Sequence, residues 1–145
     1  MVKILIKKIN KNTSLPEYKT KGSSGMDLLA NIDKPIKLAS GETKLISTGI
    51  AVAIPKEFEI QIRPRSGLAA KSGISVLNTP GTIDSDYRGE IKVILINLSK
   101  KSFIINKNDR IAQMVLCPII KGVFEEVEEL PKTVRGNRGF GSTGS

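Results

Sequence analysis

Residues 57–63 read Glu-Phe-Glu-Ile-Gln-Ile-Arg. Apolar and polar side chains alternate strictly there, a period of two that suits a half-buried β-strand with Phe58, Ile60 and Ile62 on one face. Short β-type runs recur at residues 2–9, 45–54, 92–96, 103–105, 111–120 and 123–127. Turn chemistry separates them: Ser40-Gly41, Pro55-Lys56, Asn78-Thr79-Pro80-Gly81, the stretch from Asn106 to Asp109, and Pro131-Lys132. No stretch sustains a helical period over about 12 residues, and only residues 66–71 have the makings of a short helical turn. The pattern predicts an all-β chain of one domain, for which a sandwich, a jelly roll and a small barrel are all open.

Composition narrows the chemistry more than the fold. The chain of 145 residues contains no histidine and one cysteine, Cys117, set in the apolar run Met114, Val115, Leu116 and read as a small core residue. Without histidine there is no Ser-His-Asp or Cys-His scheme and no usual zinc ligand, so catalysis must use carboxylates, hydroxyls, arginine, lysine and backbone. The excess of 23 Lys+Arg over 14 Asp+Glu, a net +9, suits a polyanionic partner such as a nucleotide, nucleic acid or an anionic surface, or is simply a solvated basic face. With 4% aromatic residues and scattered lysines, stable nucleic-acid binding is not expected. The early lysines of the amino terminus and the lack of any long apolar run predict a cytoplasmic protein without a membrane span.

Four segments concentrate polar groups. Asp27 follows Gly22-Ser23-Ser24-Gly25 and is either a metal carboxylate or a turn residue. Arg63-Pro64-Arg65-Ser66-Gly67 breaks a strand and opens a turn able to bind anions. Residues 81–90 place Asp84, Asp86, Tyr87, Arg88 and Glu90 in a turn-bounded stretch, which alone reads as a charged hairpin. The glycine-rich end, residues 135–144, has Walker-like glycine spacing but Ser142 where that loop needs lysine, which excludes a P-loop. Arginines, hydroxyls and glycines there suit a triphosphate, and Phe140 could stack on a base; a plain mobile tail is the alternative.

Taken together and in order, residues 24–30, 63–71, 81–91, 109–115 and 135–144 resemble the five motifs of the all-β dUTP diphosphatase family, with Ser24 standing where that family more often has alanine. The resemblance implies a distorted jelly-roll domain over residues 1–134, a flexible phosphate-binding tail over 135–145, and a homotrimer whose active sites are shared between subunits. It implies a hydrolase of nucleotide metabolism that converts dUTP to dUMP and pyrophosphate, keeping uracil out of DNA and supplying dUMP for dTMP synthesis. Asp84 would be the catalytic base for the water that attacks the α-phosphorus, and an aspartate is charged at neutral pH. Arg65, Ser66, Gly67, Gln113, Arg135, Ser142 and Thr143 would bind phosphates, with Arg110 holding that region together. Asn78, Ile83, Tyr87 and Phe140 would bind uracil and deoxyribose, Tyr87 acting as the gate against a 2′-hydroxyl. Mg2+ is the implied cofactor, with Asp27 holding it through water. Asp86 and Glu90 are expected to be structural, for example by pairing with Arg88. Two other readings use the same fold or site: a dCTP deaminase, disfavoured because no glutamate replaces Asp84, and a non-catalytic dUTP sensor.

Overall fold

The computed structural model describes residues 1–139. Its elements are β1 (Leu5–Lys8), β2 (Met26–Leu29), β3 (Ile36–Leu38), β4 (Thr43–Ser47), β5 (Ile50–Ala53), β6 (Phe58–Arg63), α1 (Ser66–Ser72), β7 (Ile74–Val76), β8 (Gly81–Ile83), β9 (Lys92–Asn97), β10 (Phe103–Ile105) and β11 (Arg110–Pro118). The fold is all-β with one short helix, as the alternation predicts. The strands form a four-stranded sheet ordered β2-β11-β6-β8, a three-stranded sheet ordered β4-β9-β7, and the pairs β1-β5 and β10-β3. All the pairings are antiparallel.

Strand alternation turns one row of each sheet inward. Ile60 and Ile62 of β6, Leu28 of β2, Met114 of β11, Val93 and Leu95 of β9, and Ile74 and Val76 of β7 meet in one buried cluster. The two larger sheets thus share a single apolar core. One polar side chain lies in full burial without penalty: Asn97 donates from Nδ2 to the carbonyls of Leu38 (3.0 Å) and Lys101 (2.8 Å), and its Oδ1 accepts from the N–H and hydroxyl of Ser99. With both ends of its amide satisfied, it ties β9 to β3 and to the turn before β10.

Several expectations need correction. The run 45–54 is not one strand: Gly49 has φ +72°, the chain turns there, and β4 and β5 join different sheets. Residues 123–127 form no strand and are exposed, because nothing among the described residues covers Val123, Phe124 or Val127. In 2–9 only Leu5–Lys8 is strand, on the exposed pair with β5. Residues 81–90 are no hairpin either, since β8 pairs with β6 while β9 pairs with β4 and β7. Cys117 is half-buried rather than in the core, with its Sγ 3.7 Å from Nη2 of Arg63. Strands β2, β3, β7 and β8 are too short, at three or four residues, for periodicity to reveal.

Turn chemistry falls where expected except at Pro131-Lys132, where no turn forms. The Asn106–Asp109 turn closes with the Asp109 N–H on the Asn106 carbonyl (3.2 Å) and the Asn106 N–H on the Asp109 carboxylate (2.7 Å). At the Ser40-Gly41 turn, the Ala39 N–H donates to Glu42 (2.7 Å); that bond and Lys44 hold the Glu42 carboxyl below its ordinary value.

Candidate active site

Where the two larger sheets part, the segment between β7 and β8 crosses from one to the other. A cleft of about 320 Å³ opens there, lined by the apolar Ile62, Val76 and Ile94 and by Asn78, Ile83, Asp84 and Tyr87. The crossing passes through a cis Thr79–Pro80 peptide, and Asn78 lies against Gly81, whose absent Cβ would stand 3.2 Å from Nδ2 of Asn78.

Beyond β8 the chain makes a tight turn in which the Tyr87 N–H donates to the Asp84 carbonyl (3.2 Å). Arg88 clasps it from outside, Nη1 donating to the carbonyls of Ser85 (2.7 Å) and Tyr87 (2.8 Å). The Tyr87 hydroxyl donates to the Glu90 carbonyl (3.0 Å). Glu90 accepts the Gly49 N–H on Oε1 (2.9 Å) and faces Lys92 through Oε2 (3.7 Å). Glu90 thus takes Gly49 and Lys92 as partners in place of the expected Arg88, whose guanidinium is spent on backbone.

A second group of polar side chains gathers around Asp27 on β2. Arg65, just after β6, donates from Nε to Asp27 Oδ1 (2.9 Å) and from Nη1 to the Arg110 carbonyl (3.1 Å). Arg110 Nη1 reaches Asp27 Oδ2 at 3.3 Å. Gln113 sits opposite both Asp27 and Arg63 in the strand register, and its Nε2 donates to the Pro64 carbonyl (2.9 Å). Gly25 makes room for that amide, since a Cβ there would stand 2.5 Å from Gln113 Oε1. Ser66 and Gly67 open α1 and are exposed, the first turn closing with the Ala69 N–H on the Arg65 carbonyl (3.0 Å).

The family model for dUTPase matches residues 11–144. The chain belongs to the dUTPase family. It is 57% identical over 145 residues to a deoxyuridine 5'-triphosphate nucleotidohydrolase of Rickettsia felis, covering 99% of this chain and 98% of the relative. Among solved structures it resembles a Staphylococcus bacteriophage 80alpha dUTPase with dUPNHPP at a TM-score of 0.86 and 28% identity, covering 99% of both chains. It also resembles a mutant dUTPase from phage phi11 of S. aureus, described for coordination of a structural Mg(II) ion. There the TM-score is 0.81 and the identity 23%, covering 90% of this chain and 99% of that one.

Among the residues that the resemblance to the dUTPase family singles out, the fold therefore makes two groups. Asn78, Ile83, Asp84 and Tyr87 line the cleft, and Asp27, Arg65, Arg110 and Gln113 join through hydrogen bonds and strand register. The groups lie apart along one strand: Ile83 stands opposite Ile60, whereas Arg65 follows the end of β6. At about 3.3 Å per residue, that is on the order of 15 Å. Arg135 is exposed and donates from Nε to the Arg138 carbonyl (2.9 Å). Phe140, Ser142 and Thr143 lie outside the described residues. Lys92, Leu45 and Gly49 were not legible as site residues. They reach the cleft or its support through pairings with residues far along the chain, and no local pattern records that.

Proposed function

We propose that the chain is a dUTP diphosphatase, hydrolysing dUTP to dUMP and pyrophosphate and thereby keeping uracil from DNA synthesis while supplying dUMP. Membership of the dUTPase family carries this reading, and the cleft bearing Asp84 and Tyr87 fits it chemically. The base and sugar occupy the cleft, where the apolar lining and the Asn78 amide favour a flat, hydrogen-bonding ring. Uracil is told from cytosine by the opposite donor and acceptor pattern of its edge, because an unpaired buried group costs about 1–3 kcal/mol.

In the chemical step, Asp84 orients a water and accepts its proton. The water oxygen bonds to the α-phosphorus, and the bond from that phosphorus to the bridging oxygen breaks. Pyrophosphate departs with the electron pair. Phosphates are bound by Ser66, Gly67 and Gln113, with Arg65 held in place by Asp27, and by Arg135, Ser142 and Thr143 of the tail, while Phe140 stacks on uracil.

The donor set fits magnesium held chiefly by substrate. Among the described residues no cluster of three acidic or cysteine side chains offers a cage, and Asp27 retains free lone pairs on oxygens already bonded to Arg65 and Arg110. Asp27 would hold the ion through its water shell. Once bound, the ion neutralises phosphate charge.

The assembly is read as a trimer of jelly rolls with shared sites. What supports it is the charge of the cleft: among the described residues lining it, Asp84 and Glu90 face one cation, Lys92, which already pairs with Glu90. A triphosphate lying there needs arginines that this chain places elsewhere, so a neighbouring copy and the 135–145 tail complete the site over the 1–134 body. Among the described residues no helix is long and apolar enough to cross a membrane, and a free nucleotide substrate suits the cytoplasm.

The decisive assay incubates the protein with Mg2+ and each of dUTP, dTTP, dCTP, dATP, dGTP and UTP, reading pyrophosphate, orthophosphate and ammonia. Pyrophosphate from dUTP alone is expected. Ammonia from dCTP would indicate a deaminase instead, and silence on all six would indicate a sensor.

A further inference from the structure

Resting on the reading of Tyr87 as the sugar gate, we infer that Gly89 is a positioning residue for substrate selectivity: its missing side chain is the space in which the hydroxyl end of Tyr87 rests. A Cβ at residue 89 would overlap the Tyr87 hydroxyl and stand 2.5 Å from Cζ and 3.0 Å from Cε2. The glycine is not needed for backbone freedom, because Gly89 does not have a positive φ. What it supplies is room.

The surroundings decide which part yields when that room is filled. The backbone from 84 to 90 is tied on both flanks, by the Tyr87 N–H on Asp84, by Arg88 on the carbonyls of Ser85 and Tyr87, and by Glu90 on the Gly49 N–H. The Tyr87 ring is half exposed and held at its tip by one hydrogen bond to the Glu90 carbonyl. A methyl group at 89 therefore dislodges the ring and breaks that bond while the turn stays. The ring then no longer stands at the fixed place where it would exclude a 2′-hydroxyl, and steric discrimination of this size is worth about tenfold or more.

The test compares kcat/KM for UTP and dUTP in wild type, Gly89→Ala, Tyr87→Ala and the double variant, with thermal unfolding of each. Gly89→Ala is expected to lower the Tm by no more than about 5 °C, the loss of one half-exposed hydrogen bond, and to raise the UTP-to-dUTP ratio about tenfold. In the Tyr87→Ala background it should change nothing further, since residue 89 acts only through the ring. An unchanged ratio in Gly89→Ala beside a raised ratio in Tyr87→Ala would overturn the role of Gly89 alone. So would a large fall in Tm, or an added effect in the double variant. An unchanged ratio in Tyr87→Ala would instead overturn the gate itself.

Discussion

Replacing Asp27 by asparagine keeps the shape of the side chain and removes the one negative charge between Arg65 and Arg110. The Asp27 side chain is 16% exposed, and those of Arg65 and Arg110 are 25% and 51% exposed. The bond at 2.9 Å to Arg65 is charge-assisted and largely shielded, worth about 2 kcal/mol. The longer contact to half-exposed Arg110 adds about 0.5 kcal/mol. The loss of about 2.5 kcal/mol corresponds to a fall in Tm of roughly 5–10 °C for a domain of this size. Differential scanning calorimetry in EDTA, at one fixed protein concentration, isolates this from metal binding and from assembly. Arg65 loses its anchor in the same variant, so kcat/KM for dUTP should fall with it even at saturating Mg2+. A Tm within about 2 °C of wild type would refute the anchoring role and leave Asp27 with the metal alone.

Asp84→Asn should retain dUTP binding in calorimetric titration yet lose nearly all pyrophosphate release; retained turnover would remove Asp84 from the base role. Truncation before Arg135 should leave a folded, assembled protein with crippled activity, checked by circular dichroism and sedimentation alongside the rate, whereas normal activity would make the tail a dispensable extension. Gly49→Ala places a methyl against Asn31 and 2.5 Å from Thr13 Oγ1 at φ +72°, so a destabilisation of about 3 kcal/mol is expected in urea unfolding. A loss under about 1 kcal/mol would mean that the turn between β4 and β5 relaxes freely.

The strict alternation at 57–63, the short apolar runs and the turn residues were enough to call the chain all-β, because side-chain period and turn chemistry are local properties. The absence of histidine was equally legible, and it left carboxylates, hydroxyls, arginine, lysine and backbone to carry any chemistry; so was the order of the five motifs from Ser24 to the glycine-rich end. Tertiary structure decided the partners. The 45–54 run reads as one strand until Gly49 turns it between two sheets, and 81–90 reads as a hairpin until β8 pairs with β6 and β9 with β4 and β7. Asp27 reads as a metal or turn residue, and only folding brings Arg65 and Arg110 to its two oxygens from 38 and 83 residues away. Glu90 reads as a partner for its neighbour Arg88, yet the fold gives it Gly49, 41 residues back. Such pairings depend on which strands become neighbours, a choice made by burying one shared core rather than by any local pattern.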